Sequence, residues 1–221
     1  MIVLGLDTAL AACSVAVTRD GEVLASVSEP MLRGHQERLA PLVEEVMAAA
    51  GLPFSALDRV GVTVGPGSFT GLRVGLAFAK GLGLAVSRPC VGVGSLEALA
   101  ASAPGAGLTA AVIDAKRGQV YLQAFEAGAP VMAPDALPVE TAAARLAELW
   151  KGGPLRLIGP GAALLAEAAP GGEMILRAAP APEAICALAS KRSTPARPLY
   201  LRAPDAKLPG GREPEPRDLA Q

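Results

Sequence analysis

Residues 2–27 read IVLGLDTALAACSVAVTRDGEVLASV, and this stretch sets the frame for the rest of the chain. Residues 2–6 and 14–18 are rich in β-formers, and Asp20-Gly21 is a tight-turn dipeptide leading into a third run at 23–27. Three short antiparallel strands therefore open the chain. Leu39, Leu42, Val43, Val46, Met47 and Ala50 then recur at helical spacing, with Gly51 just past the helix end and Pro41 expected in the first turn or at a bend. A buried strand at 60–64, a glycine-rich loop and a helix from about Thr70 to Val86 complete a ββ(β)αβα unit.

Residues 102–107, with Pro104, Gly105 and Gly107, read as a linker, and beyond them the same order returns. Strands are expected at 108–113 and 120–125, a weaker one near 137–139, a helix at 141–150, and a strand at 155–158. The turn Gly159-Pro160-Gly161 and another short helix complete the echo. Two such units in tandem predict an α/β fold of duplicated lobes, 1–103 and 104–194, each a mixed sheet flanked by helices. That arrangement resembles the actin, sugar-kinase and Hsp70 (ASKHA) superfamily, where a nucleotide usually lies between the lobes. From residue 195 to 221 six prolines and little apolar periodicity predict an extended arm or disordered tail. From Lys191 onward seven basic residues face four acids, a local charge of +3 that suits a solvated tail or a contact with RNA or a partner.

Composition narrows the function classes. The chain has 221 residues and 51% hydrophobic content, much of it alanine, and Asp7, Arg73, Lys80 and Asp114 interrupt its most apolar runs before they reach the ~20 residues a spanning helix needs. The N-terminus lacks a basic leader and a cleavage site and reads as the first strand of a cytoplasmic domain without membrane contact. Cys13, Cys90 and Cys186 are dispersed and odd in number, so they suggest neither a disulfide framework nor a metal site. A net charge of −1 and an aromatic content of 3% do not match an autonomous RNA binder; any RNA would be held mostly by a partner.

The most specific stretch is GPGSFTGLRVG, residues 65–75. It lacks the lysine of a phosphate-binding Walker loop. Gly67 and Gly71 are four apart where the dinucleotide fingerprint needs three, and Pro66 and Thr70 flank Ser68 where a nucleophile elbow needs glycines. What remains is a tight turn at a helix N-terminus, which either caps the helix or holds an anion. Asp7, Gly67, Ser68 and Thr70 are the candidate anion or nucleotide contacts. Gly71, Gly75, Ala79 and Gly83 form a four-spaced ridge of small residues that calls for close approach by the helix ending at Ala50 or by another chain. His35 is the only histidine, and Met31 and Leu39 occupy the positions four away, so it reads as a surface residue at a helix start. Asp7 follows the first strand, where ATPases of the superfamily carry an acidic residue, but Thr8-Ala9 replaces the expected glycine. No catalytic residue and no metal ligand is assigned.

Taken together these residues resemble the TsaB (YeaZ) family. The resemblance rests on Leu6-Asp7-Thr8 with Cys13-Ser14-Val15-Ala16, on His35 and Leu39-Ala40-Pro41, and on residues 65–75. In the second half it rests on Asp114-Ala115-Lys116-Arg117 with Val120-Tyr121, and on Pro198-Leu199-Tyr200-Leu201-Arg202; Lys116 and Gln119 depart from the family's preferred arginine and glutamate. The resemblance implies a paralogue of the TsaD-type subunit that has lost its metal-binding histidines. Such a chain is the heterodimer partner of TsaD, alongside a small TsaE-type ATPase, in forming N6-threonylcarbamoyladenosine beside the anticodon of tRNAs that read codons beginning with adenine. The transfer chemistry lies in TsaD, tRNA is engaged through the complex, no cofactor is tightly bound, and ATP or ADP at the subunit interface and a homodimer of the free chain stay open. With that partner implied, Gly71, Leu72, Arg73, Gly75, Leu76, Ala79 and Gly83 are the expected interface, and Gly75→Leu is expected to leave the monomer folded. The competing class is an independent kinase of the superfamily or a peptidase.

Overall fold

The structure, a computed structural model, describes residues 1–202. The chain opens on an antiparallel meander of β1 (Ile2–Asp7), β2 (Ala12–Arg19) and β3 (Glu22–Pro30). Asp20 and Gly21 take φ of 52° and 90°, the left-handed pair whose twist matches a two-residue hairpin. Helix α1 (His35–Ala49) is closed at Gly51, φ 64°, where the N–H groups of Gly51 and Leu52 donate to the carbonyls of Ala48 and Met47. Pro41 lies in the second turn of α1 rather than the first, because the helix already starts at His35, and it removes the N–H that would reach the Glu37 carbonyl.

The first half continues with β4 (Arg59–Gly65), α2 (Phe69–Ala85), β5 (Cys90–Gly94) and α3 (Ser95–Ala101). The second half comprises β6 (Leu108–Lys116), β7 (Gln119–Glu126), β8 (Ala129–Pro130), β9 (Asp135–Pro138) and α4 (Val139–Leu149). It ends with β10 (Leu155–Ile158), a 3₁₀ stretch (Ala162–Ala168), β11 (Glu173–Ile175) and α5 (Pro182–Ser190). Sheet order is β3-β2-β1-β4-β5 in the first lobe and β11-β10-β6-β7-β8 in the second, with β9 also on β7. In both, a parallel pair sits beside an antiparallel meander, β1 with β4 and β6 with β10. The duplication read from the sequence is therefore a duplication of sheet topology.

One face of the first sheet packs on α1 and α2 through Leu4, Leu6, Val15 and Val17 against Leu42, Val46 and Leu76. The corresponding face of the second sheet carries α4, with Leu122 and Leu157 against Leu146. Helices α3 and α5 do not respect the lobe ranges 1–103 and 104–194. Leu96 and Leu99 of α3 bury themselves against Ala111, Ile113, Phe125 and Ile158 of the second sheet. Ile185, Cys186 and Ala189 of α5 pack on Val3, Ala16, Val91 and Val93 of the first. The physical reason is that each sheet has a second apolar face, and the helix that follows the last strand of one half covers the sheet of the other. Residues 195–202 then form a strap along the first lobe: Pro195 bridges Val91, the Leu199 N–H donates to the Val64 carbonyl at 2.7 Å, and Arg202 donates to the Ala115 carbonyl at 2.6 Å. The remainder of the expected tail, 203–221, lies outside the described residues. Among the described residues no helix is long and apolar enough to cross a membrane.

Two strand glycines let α5 seat so closely. A Cβ on Gly5 would fall 2.7 Å from the Cys186 sulfur and 2.8 Å from the Pro182 carbonyl oxygen, and one on Gly61 would fall 2.7 Å from the Ala189 Cβ. Gly5→Val should lift α5 and lower unfolding free energy by about 1–3 kcal/mol or more, measured by urea titration; an unchanged midpoint would mean that α5 does not bear on the sheet.

Candidate functional site

The loops of interest gather at the carboxyl ends of the parallel strands, where open α/β sheets place their sites. Asp7 ends β1 and Thr63 lies on β4 beside it. The Thr63 hydroxyl donates to Asp7 Oδ1 at 2.6 Å and the Ala9 N–H donates to the same oxygen at 3.1 Å, while Oδ2 is buried without a partner. Asp7 is fully buried, and that desolvation raises its pKa to about 6 against the opposing pull of the Thr63 and Ala9 hydrogen bonds and the attraction of His35. His35 is half-buried at the first position of α1, with its Nε2 buried and unpartnered, so it is drawn inward rather than standing on the surface as expected.

The glycine-rich loop closes over this point. Gly65 takes φ 111°, and Ser68 caps α2 by accepting the Gly71 N–H at 3.3 Å. Of the two readings left open by the sequence, the loop's geometry shows the capping one. The Ser68 N–H donates to the Ala9 carbonyl at 2.8 Å, and the Thr8 hydroxyl donates to the Gly71 carbonyl at 2.7 Å. A Cβ on Gly67 would lie 2.5 Å from the Ala9 oxygen, one on Gly75 2.5 Å from Thr8 Oγ1, and one on Gly71 would collide with the Thr8 carbonyl oxygen. The glycines thus admit the chain's own Thr8-Ala9 backbone. Among the four proposed anion contacts, Asp7 has no solvent exposure, Gly67 is half-buried, and Ser68 and Thr70 are exposed.

The small-residue ridge faces inward, which corrects the expected interface. Gly71, Leu72, Gly75, Leu76, Ala79 and Gly83 are buried within the chain, and of the seven expected interface residues Arg73 alone is exposed. Its neighbours lie within the chain: Gly71 and Gly75 lie on Thr8 and Val62, Gly83 on the Arg88 carbonyl and Cys90, and Ala79 in the core that includes Val46 and Met47 of α1. The reason is that α2 must approach the ends of β1 and β4 to close the loop, and only small residues permit that spacing. Gly75→Leu would therefore drive a side chain into Thr8 and unfold the monomer rather than spare it.

The second lobe repeats the motif. Gly159-Pro160-Gly161 follows β10 as Gly65-Pro66-Gly67 follows β4, with Gly159 at φ 119°. A Cβ on Gly161 would lie 2.7 Å from the Asp114 nitrogen. Asp114 repeats the turn of Asp7, accepting the Lys116 N–H at 2.7 Å, but it is accessible and pairs with the Lys116 ammonium at 2.7 Å, so its pKa is held below the usual carboxylate range. Two aspartates in matching turns thus shift in opposite directions. Burial pushes the thiols of Cys13, Cys90 and Cys186 up to about 11, 11 and 12, and no group of three or more His, Cys, Asp or Glu side chains is placed to hold a metal among the described residues.

Two mixed sheets of matching topology, flanked by helices, define the fold class of the actin, sugar-kinase and Hsp70 proteins. Component A of the (R)-2-hydroxyglutaryl-CoA dehydratase of Acidaminococcus fermentans shares this fold, with a TM-score of 0.55 at 12% identity over 87% of this chain and 99% of that one, a likeness of fold alone. The sequence matches the family described as TsaD, tRNA N6-adenosine threonylcarbamoyltransferase, over residues 22–154. YeaZ from Pseudomonas aeruginosa superposes with a TM-score of 0.78 at 32% identity, covering 90% of this chain and 99% of that one. The tRNA threonylcarbamoyladenosine biosynthesis protein TsaB of Escherichia coli is 38% identical over 129 residues, 57% of this chain and 55% of that protein. The chain belongs to the TsaB (YeaZ) family, which is related to TsaD. Its matched stretch spans about half the length of the first curated relatives.

Two outcomes test this geometry. Gly71→Ala should cost about 1–3 kcal/mol or more by overpacking on Thr8, whereas Gly81→Ala, on the same helix with nothing within 4 Å of its added Cβ, should stabilise by about 1 kcal/mol; paired thermal melts decide. The Asp7 carboxyl keeps its proton in the folded state up to about pH 6 but loses it in the unfolded chain near pH 4. Folding stability therefore falls as pH rises from about 4 to 6 and stays at its lower level above. Relative to Asp7→Asn, which does not titrate there, the parent should lose on the order of 3 kcal/mol between pH 4 and 7; parallel curves for the two proteins would refute the assignment.

Proposed function

We propose that this chain is a non-catalytic subunit, located in the cytoplasm, of the assembly that forms N6-threonylcarbamoyladenosine in tRNA, and that it works as the heterodimer partner of a TsaD-type transferase with a TsaE-type ATPase. The observation that carries the non-catalytic half is the filling of the first lobe's loop by Thr8-Ala9: Gly67, Gly71 and Gly75 receive this chain's own backbone at the place where a phosphate would have to approach. Family membership supplies the rest, since its TsaB relatives carry tRNA threonylcarbamoyladenosine biosynthesis in their names. A nucleotide engaged by the complex then draws its contacts chiefly from the partner.

The docking surface moves to the outward face of α2. Ala77, Gly81 and Leu84 are exposed there, Leu84 to 84%, and Gly81 is a helix-interior glycine with no internal neighbour. Such a glycine costs about 1 kcal/mol unless close packing by another helix compensates. A subunit of the same fold supplies a helix of matching shape, and a second copy of this chain uses the same face when no partner is present.

Reconstitution tests both statements. Omitting this chain from a mixture of the TsaD-type and ATPase subunits with tRNA should abolish threonylcarbamoyl incorporation, and Gly81→Leu should do the same while the monomer stays folded. Phosphotransfer or proteolysis by the chain alone, lost on Asp7→Asn, would favour the enzyme reading instead.

A further inference from the structure

The chain holds four Phe, two Tyr and one Trp, so an aromatic on the surface is a scarce use of the residue type. Phe69 and Tyr200 are nevertheless 43% and 44% exposed, and their rings meet at a tilt of 37° with centroids 5.4 Å apart. The guanidinium of Arg73, itself exposed, lies 3.8 Å from the Phe69 ring centroid. Tyr200 is held firmly: on one side the Leu199 N–H donates to Val64, with Leu199 O pressed 2.6 Å from where a Cβ of Gly65 would sit, and on the other Arg202 donates to Ala115. The strap 195–202 carries Arg197, which is exposed, and Arg202, which donates to the Ala115 carbonyl; just before it Arg192 is paired with Glu97 at 2.5 Å, and Lys116 beside Ala115 is paired with Asp114 at 2.7 Å.

We propose that this aromatic pair, with the Arg73 guanidinium lying on it, forms a contact for unpaired nucleotides of an RNA loop. An exposed aromatic ring on a backbone tied down on both sides is a stacking platform of the kind unpaired bases use, and Arg73 adds a planar cation that suits bases and phosphates alike. The surface composition is local, which is why a net charge of −1 and 3% aromatics do not disclose it. The choice of RNA rests on the tRNA reading above, but here this chain's own surface makes a contact.

Fluorescence anisotropy of the full chain with a labelled RNA hairpin bearing an unpaired loop, and with a fully paired RNA duplex of equal length, tests it. The hairpin should bind more tightly than the duplex, with affinity falling as salt rises. Tyr200→Leu should weaken hairpin binding by roughly tenfold, the lower range of one base–aromatic stack, and leave duplex binding unchanged, whereas Tyr200→Phe should bind as the parent does. Should Tyr200→Leu also lower the melting temperature, Arg73→Ala carries the test, since it leaves the strap in place and should weaken the hairpin complex and flatten its salt dependence. Absence of binding, equal binding of hairpin and duplex, or parental binding by both variants overturns the proposal. So does a Tyr200→Leu chain that binds hairpin normally but loses the TsaD-type subunit, which makes the pair a protein contact. The measurement needs neither partner nor turnover, so its outcome is separate from that of the reconstitution.

Discussion

The carbonyl of Thr8 occupies the space a side chain at Gly71 would need, and the arrangement of the first lobe follows from that contact. With α2 drawn onto the end of β1, the Thr8 hydroxyl reaches the Gly71 carbonyl, the Ser68 N–H reaches Ala9, and Asp7 is sealed beneath the turn. Sealing explains the direction of the Asp7 titration: a carboxylate without water has only a few hydrogen bonds, chiefly from Thr63 and Ala9, and the attraction of His35 to offset its burial. The second lobe makes the corresponding approach at Gly161 but leaves Asp114 in reach of Lys116 and solvent. One motif, used twice, gives a buried and an accessible aspartate because only the first lobe carries a full helix over its turn.

The two lobes are joined by more than their linker. Exchange of α3 and α5 gives each sheet a covering helix from the other half, and α3 brings Leu96 and Leu99 into the second core. The linker itself is clasped, since the Arg156 guanidinium donates to the carbonyls of Ala103 and Ala106. The strap adds a third tie from the first sheet to the turn after β6. A hinge motion between the lobes would have to break buried apolar contacts at α3 and α5 together.

Much of the fold was legible because its signals are local. The Asp20-Gly21 turn, the Gly51 helix end and the periodicity from Leu39 to Ala50 each follow from backbone or side-chain geometry within a few residues. The strand β5, the helices α3 and α5 and the short β8 and β11 were missed, as Ala-rich segments such as Ser95–Ala101 carry weak periodicity and two-residue strands none. The ridge on α2 was recognised as a close-packing surface, yet its direction was not, because spacing by four tells which residues share a helix face and not what that face meets. Asp7, Ser68 and the Thr8-Ala9 that stands for a glycine were singled out, whereas Thr63 was not, since a threonine in a β-rich run has no mark until the loop folds over it. The repeated Gly-Pro-Gly at 65–67 and 159–161 was the available clue to the paired turns.

Exchange of α3 and α5 also has a bearing on biosynthesis. A ribosome delivers the first sheet within the first 94 residues, yet the face that carries Val3, Ala16, Val91 and Val93 has no cover until Pro182–Ser190 has emerged. Over that interval an apolar sheet surface is open to the cell while nearly ninety further residues are made, and at about 5–20 residues per second this lasts seconds rather than milliseconds. Cover for that face therefore depends on one nine-residue helix from the second half of the chain.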